Sequence, residues 1–254
     1  MANGIAQIRR SVLTLALPVT VSSLLQRAEG IVAVFLVGGL GAVPIAAVGL
    51  GQLLAFIATT LVSGLSVGSN VVMAQLWGAR RYADAGQAAR HFLGLSILIA
   101  LGLLTFGLLV NGLAMQLLGA QTDVIRLALP YSNLIFLLIP FTILLQVFSS
   151  ILQGTGDTKT PMYAMIVVNL LHIAIALPLI YGHWGLPAMG INGAAIAVGI
   201  AEATGCLYLL ARCRPMLRRS QRFRLDLIRT IWHVGAPVSG ERVVQQAGIL
   251  LYTK

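Results

Sequence analysis

Charge is what this sequence has least of. Asp, Glu, Lys and Arg together make up 9% of its 254 residues, whereas a soluble globular chain carries about 25%. The shortage is steepest among acids, with seven Asp and Glu in all. Cysteine is nearly absent as well: Cys206 and Cys213 are the two present. At the end of one apolar run they are separated by about 10 Å of helical rise, too far for a disulfide. They read as small apolar fillers facing a reducing compartment. No H-E-x-x-H, no G-x-S-x-G and no metal-type Cys/His cluster occurs, which argues against an enzyme and against a structural metal. Gly154-Thr155-Gly156-Asp157-Thr158-Lys159-Thr160 lacks the spacing of a phosphate loop and has no flanking strand. Without a nucleotide site, any pumping has to be driven by an ion gradient, and no cofactor is expected.

What fills the chain instead is apolar sequence, 58% of it, with a mean hydropathy of +0.91. Apolar runs of about 18 or more residues mark membrane helices. Six such runs are expected at about 13–38, 45–75, 91–112, 124–151, 161–181 and 191–211, with a partial seventh from 229 to the end. The first is about twice the 7–15 residues of a signal-peptide core, so it stays as a span. The fold class is therefore all-α and polytopic, a six-helix transmembrane bundle plus a partial seventh helix. Most breaks are too short for extramembrane domains and join antiparallel neighbours.

The net charge of +10 is placed as an orientation signal. Arg9 and Arg10 precede the first span, Arg80, Arg81 and Arg90 follow the second, Lys159 follows the fourth, and a run from Arg212 to Arg229 follows the sixth. The remaining breaks hold only Arg126, beside Asp123. Basic residues in every second loop mark the cytoplasmic side, so the N-terminus and the 211–229 loop are expected there, in a cytoplasmic (plasma or inner) membrane. Membrane lipids are partners by composition, and the basic cluster is also suited to anionic lipid. Nucleic acid is not expected as a partner, because no stacking aromatics are interleaved with the basic residues.

Residues 229–247 echo residues 10–28. Leu15-Ala16-Leu17-Pro18-Val19-Thr20 matches Val234-Gly235-Ala236-Pro237-Val238-Ser239, and Leu24-Leu25-Gln26 matches Val243-Val244-Gln245, in register and without a gap. An echo of that length in so apolar a chain is the mark of a transporter built from two homologous halves. Three segments follow: a six-helix lobe over 1–211, a basic cytoplasmic linker over 212–228, and the opening helix of a second lobe over 229–254, cut short. The missing C-terminal half of the same transporter is then an expected partner.

Few polar residues lie in the spans, and they lie on particular faces. Gln52, Thr59, Ser63, Ser66 and Asn70 form one continuous helical stripe, fit either to line an aqueous cavity or to bond between helices. Ser22, Gln26 and Glu29 share a face in the first span, as do Asn169 and His172 in the fifth. Glu29, Glu202, Glu241, Arg27 and Arg242 are charges inside apolar spans. A charge at helix centre costs roughly 2.5–3.5 kcal/mol on insertion scales, so each is a functional candidate unless it only neutralises a neighbour. A carboxyl in a low-dielectric site can exchange protons near neutral pH, or bind Na⁺ or an organic cation. His172 suits either a proton relay or a hydrogen-bonded packing role.

Leu152-Gln153-Gly154-Thr155-Gly156-Asp157-Thr158-Lys159-Thr160-Pro161 after the fourth span closely resembles a signature of the multidrug and toxic compound extrusion (MATE) transporters. Ala74-Gln75-Leu76-Trp77-Gly78-Ala79-Arg80, Gly190-Ile191-Asn192-Gly193-Ala194-Ala195 and Gly235-Ala236-Pro237 match as well. The resemblance spans the chain. It implies one lobe of a twelve-helix fold around a central cleft, exporting small cationic, drug-like compounds against Na⁺ or H⁺ entry. Where many members carry an aspartate in the first helix, this chain has Ala33. Glu29, one turn earlier on the same face, is either a displaced substitute or a sign that the ion site of this lobe is absent. Glu241 resembles a membrane glutamate used by some Na⁺-coupled members, so Na⁺ is a candidate there, with Gln245 one turn on. Asn169 and His172 stand where relatives have paired polar residues. The candidate ion- and substrate-binding set is thus Glu29, Glu241, Gln26, Gln52, Asn70, Asn169, His172, Gln245 and Glu202. A lipid-linked oligosaccharide flippase of the same wider superfamily is the alternative, distinguished by a cationic cavity.

The topology has a direct consequence. Cysteines introduced at Ala42, Gln121 and His183 are expected to react with an impermeant thiol reagent from outside, and those at Ala85 and Gln221 are not; outside labelling at Ala85 would overturn the orientation.

Overall fold

The computed structural model describes residues 2–218, with side chains from Val12 onward except Leu61. Among these residues there are helices and turns and no strand. A backbone inside hydrocarbon has no water to bond, so it satisfies its own N–H and C=O groups as helix. Six helices result: α1 (Ala2–Val37), α2 (Ala42–Gly78), α3 (Tyr82–Leu117), α4 (Thr122–Gly154), α5 (Lys159–Tyr181) and α6 (Ile191–Arg218), with one 3₁₀ turn (Gly38–Leu40) between the first two. Each is long and apolar enough to cross a bilayer.

The six expected spans are all there, and several run further than their apolar cores. α3 has 36 residues, about 54 Å at 1.5 Å per residue, well beyond a hydrocarbon layer of about 30 Å. Its extra turns begin at Tyr82 because Ala85, Ala88 and Ala89 are buried against other helices. α6 likewise continues past 211 to Arg218, through Pro215. Ala85 is fully buried, so a silent cysteine there would report packing and not sidedness. Exposed Arg80 is the informative position on that rim. Gln221, like the whole echo at 229–247, lies outside the described residues.

α4 is the centre of the bundle and packs on α2, α3, α5 and α6, while α1 lies mainly along α5. Small residues let the backbones approach, as in other membrane helix pairs. A Cβ on Gly154 would lie 2.6 Å from the carbonyl oxygen of Asn70, and one on Gly51 would lie 2.7 Å from the Tyr131 ring. One on Gly107 would overlap the Phe136 ring outright. A buried polar knot joins α3 to α4 as well: Asn111 donates to Asn133 Oδ1 at 2.9 Å, and the Ser132 hydroxyl donates to Asn111 Oδ1 at 3.0 Å.

The motif after α4 is a turn. Gly156 takes the left-handed conformation (φ 88°). Asp157 then opens α5 by accepting both the Thr160 N–H (3.0 Å) and the Thr160 hydroxyl (2.7 Å). Pro161 falls in the first turn, where its missing N–H costs nothing. The Gly190-Ile191-Asn192-Gly193 motif has a similar cause. Gly190 has φ 55°, and a Cβ on Gly193 would lie 2.7 Å from the Leu179 carbonyl oxygen.

Overpacking a fitted contact costs typically 1–3 kcal/mol. Gly154→Ala is expected to destabilise the bundle by about that much, because backbone has to yield and no side chain can. Thermal unfolding in detergent measures it, and an unchanged midpoint would show that α2 and α4 are not in this contact.

Candidate functional site: a buried carboxyl pair between α1, α4 and α6

The site is assembled from three helices that meet inside the bundle. α6 brings Glu202, 5% exposed, from a run that is otherwise alanine, glycine and aliphatic residues. α4 brings Thr142, whose hydroxyl donates to Glu202 Oε2 at 2.6 Å. α1 brings Glu29, whose Oε1 is buried and has no hydrogen-bond partner. The two acids stand on helices that touch each other, α1 and α6. Among the described residues neither carboxyl has an ion pair, the one ion pair being Arg81–Asp84 at the bundle's edge.

Two acids on touching helices repel when both are charged, and low dielectric magnifies the repulsion. Removing an acidic charge from water is expensive in itself. Such a pair is relieved by anything that brings positive charge: a proton, an alkali cation or an organic cation. Chemically such an arrangement is suited to accepting a cation. It holds no group suited to an anion and no cluster of three or more His, Cys, Asp or Glu among the described residues.

Gln52 on α2 braces this region. Its Nε2 donates to the Gly30 carbonyl, beside Glu29, at 3.5 Å, and its amide reaches the hydroxyl of fully buried Tyr131 on α4. Ala33 is buried, on the α1 face that carries Glu29 one turn earlier.

The other sequence candidates lie elsewhere. Asn70 donates to the Ser150 carbonyl at 3.3 Å and ties α2 to α4. Thr59 and Ser63 on the same stripe bond back to carbonyls of their own helix, and Ser66 Oγ is buried without a partner. Gln26 and Arg27 are exposed on α1. Asn169 donates to the Met165 carbonyl at 2.9 Å within α5. His172 is fully buried, with neither ring nitrogen bonded. Glu241, Gln245 and Arg242 lie outside the described residues. Thr142, Tyr131 and the Asn111 knot were not singled out by sequence pattern, since an isolated hydroxyl in an apolar helix has no periodicity to mark it.

An open apolar groove of about 330 Å³ lies between α4 and α6, lined by Leu134, Leu138, Phe141, Gly199, Ile200 and Ala203 among others. Phe141 and Ala203 adjoin Thr142 and Glu202 in sequence, so the same stretches of α4 and α6 carry both the groove and the Thr142–Glu202 bond.

A model of the MatE family matches residues 18–177. A probable multidrug resistance protein of Bacillus subtilis, YoeA, is 29% identical over 91% of this chain and 52% of its own length. A probable multidrug resistance protein of Thermotoga maritima, NorM, is 25% identical over 98% of this chain and 54% of its own. The chain thus spans about half the length of the curated relatives it matches. Among solved structures, an outward-facing multidrug resistance MATE family transporter of the MOP superfamily superposes with a TM-score of 0.85 at 23% identity, covering 94% of this chain and 54% of that one.

Breaking the Thr142 bond tests the geometry. Leaving a buried hydrogen-bonding group unsatisfied costs about 1–3 kcal/mol. Thr142→Val is expected to cost that much, whereas Thr142→Ser, which keeps the hydroxyl, is expected to cost less. Equal unfolding midpoints for wild type and Thr142→Val would remove Glu202 from this contact.

Proposed function

The chain belongs to the MatE family of membrane transporters, and from that we propose that it forms the N-terminal lobe of an ion-coupled exporter of cationic, drug-like compounds. The observation carrying the reading is Glu29 and Glu202, two acids on touching helices of one lobe with no ion pair to either among the described residues. The names of the relatives YoeA and NorM, both probable multidrug resistance proteins, point the same way.

The mechanism follows from charge balance. The site is most comfortable with one added positive charge, so an entering H⁺ or Na⁺ and an organic cation compete for it. In an antiporter, arrival of the coupling ion on one side displaces the compound on that side. Alternation then requires this lobe to rock against a homologous one around a site at their interface. Glu241, on the segment that echoes α1, would supply that second lobe with its own acid and is the Na⁺ candidate. In this reading the rim that carries Arg80, Lys159 and Arg214 is the cytoplasmic one, the N-terminus is inside and the membrane is the cytoplasmic one; the distribution of basic residues supports it.

Binding of a lipophilic cation tests this without needing turnover. The 254-residue chain in nanodiscs is expected to bind tetraphenylphosphonium, and Glu29→Gln or Glu202→Gln to weaken it by about tenfold or more. Both substitutions keep the side chain's size. Unchanged affinity in both variants would make the pair structural, and preference for an anionic lipid-linked sugar over the cation would turn the reading to a flippase.

A further inference from the structure

The start of α3 and the end of α6 meet at one rim of the bundle and are fastened to each other. Arg90 donates from Nε to the Leu217 carbonyl at 2.6 Å, and a second time from Nη2. A Cβ on Gly86 would lie 2.5 Å from the Met216 carbonyl oxygen, so backbone meets backbone beside that bond. That clasp holds α6 against the start of α3. α6 carries Arg214 and Arg218 there, four residues apart on one stripe, and the α2–α3 turn leads directly into α3.

Arg80 stands exposed in that turn, and Arg214 and Arg218 are exposed on α6. The acids nearby are already engaged. Asp84 pairs with Arg81 at 2.7 Å, and Asp157 is taken up by Thr160. Among the described residues no carboxylate pairs with Arg80, Arg214 or Arg218. Trp77 and Tyr82 meet edge to face at 4.8 Å in the same turn, and rings of this amphipathic kind sit at the headgroup level of a bilayer. Among the described residues the basic side chain at the opposite rim is Arg126, close in sequence to Asp123.

We infer that this corner is a docking site for the headgroup phosphate of an anionic phospholipid, with Arg80, Arg214 and Arg218 on the phosphate and Trp77 and Tyr82 against the glycerol region. Charge complementarity selects the occupant: three cations without a carboxylate partner among the described residues, beside rings suited to headgroup depth, meet the layer in which phosphate is the abundant anion. Arg90 takes no part in binding. Its bond to Leu217 positions the two arginines of α6, so the site depends on the clasp being closed. The inference stands apart from the carboxyl pair and survives if that reading fails.

Native mass spectrometry of the full chain, titrated with phosphatidylglycerol or phosphatidylcholine in neutral detergent, is the test. Wild type is expected to retain phosphatidylglycerol preferentially. The triple variant Arg80→Gln, Arg214→Gln, Arg218→Gln is expected to lose roughly a hundredfold in that affinity with phosphatidylcholine retention unchanged. The triple Arg→Lys variant, which keeps the charges, should retain most of the binding, and Arg126→Gln on the other rim should retain all of it. Equal retention of the two lipids by wild type, or wild-type retention by the Gln variant, would overturn the proposal. Displacement of the lipid by an equal concentration of glycerol 3-phosphate would also overturn it, by making the ligand a soluble phosphate.

Discussion

A bilayer interior offers no water, and every polar atom placed there has to find its partner within the protein. The backbone meets that demand by being helical from end to end, which leaves side chains as the variable. Most of the hydroxyls answer locally: Ser22, Thr59 and Ser149 bond to carbonyls one turn back on their own helices. Asn70 and the Asn111 knot answer across helices. The buried atoms left bare among the described residues are few, Ser66 Oγ and the His172 ring nitrogens included, and of these Glu29 alone is an acid.

The carboxyl pair and the arrangement of glycines are linked through α4. It touches four other helices, and small residues bring α2 and α6 close to it: Gly51 and Gly154 from contacts with α2, and Gly199, where a Cβ would overlap Leu138. Only at such distances can the short side chain of Thr142 reach Glu202. Tyr131, seated over Gly51, is held at the level where Gln52 reaches it. Close packing is therefore the means by which one helix presents polar groups to α2 and α6 together.

Helix number and type were legible because each apolar run exceeds what a soluble core would use. The extents were less so: the Ala-rich start of α3 and the Arg-rich stretch 212–218 of α6 look like loop by hydropathy, yet both are helix and are fastened to one another. Glu29 and Glu202 were each visible as acids out of place, yet nothing in their local sequence says that their helices touch, since α1 and α6 stand at opposite ends of the chain order. The α2 stripe was legible as a stripe, and its periodicity was equally compatible with a cavity wall and with bonds to neighbouring helices. Asn70 takes the second course.

The glycines also differ in how freely the sequence around them can drift. Gly107 is crowded by the Phe136 side chain, so a larger residue at 107 can be accommodated by a smaller one at 136, and the two positions are free to change as a pair. Gly154, Gly86 and Gly193 are crowded by the carbonyl oxygens of Asn70, Met216 and Leu179. A carbonyl is present whatever residue bears it. No second substitution can restore room there, and these three positions are closed to compensated change across any set of descendants that keeps the bundle.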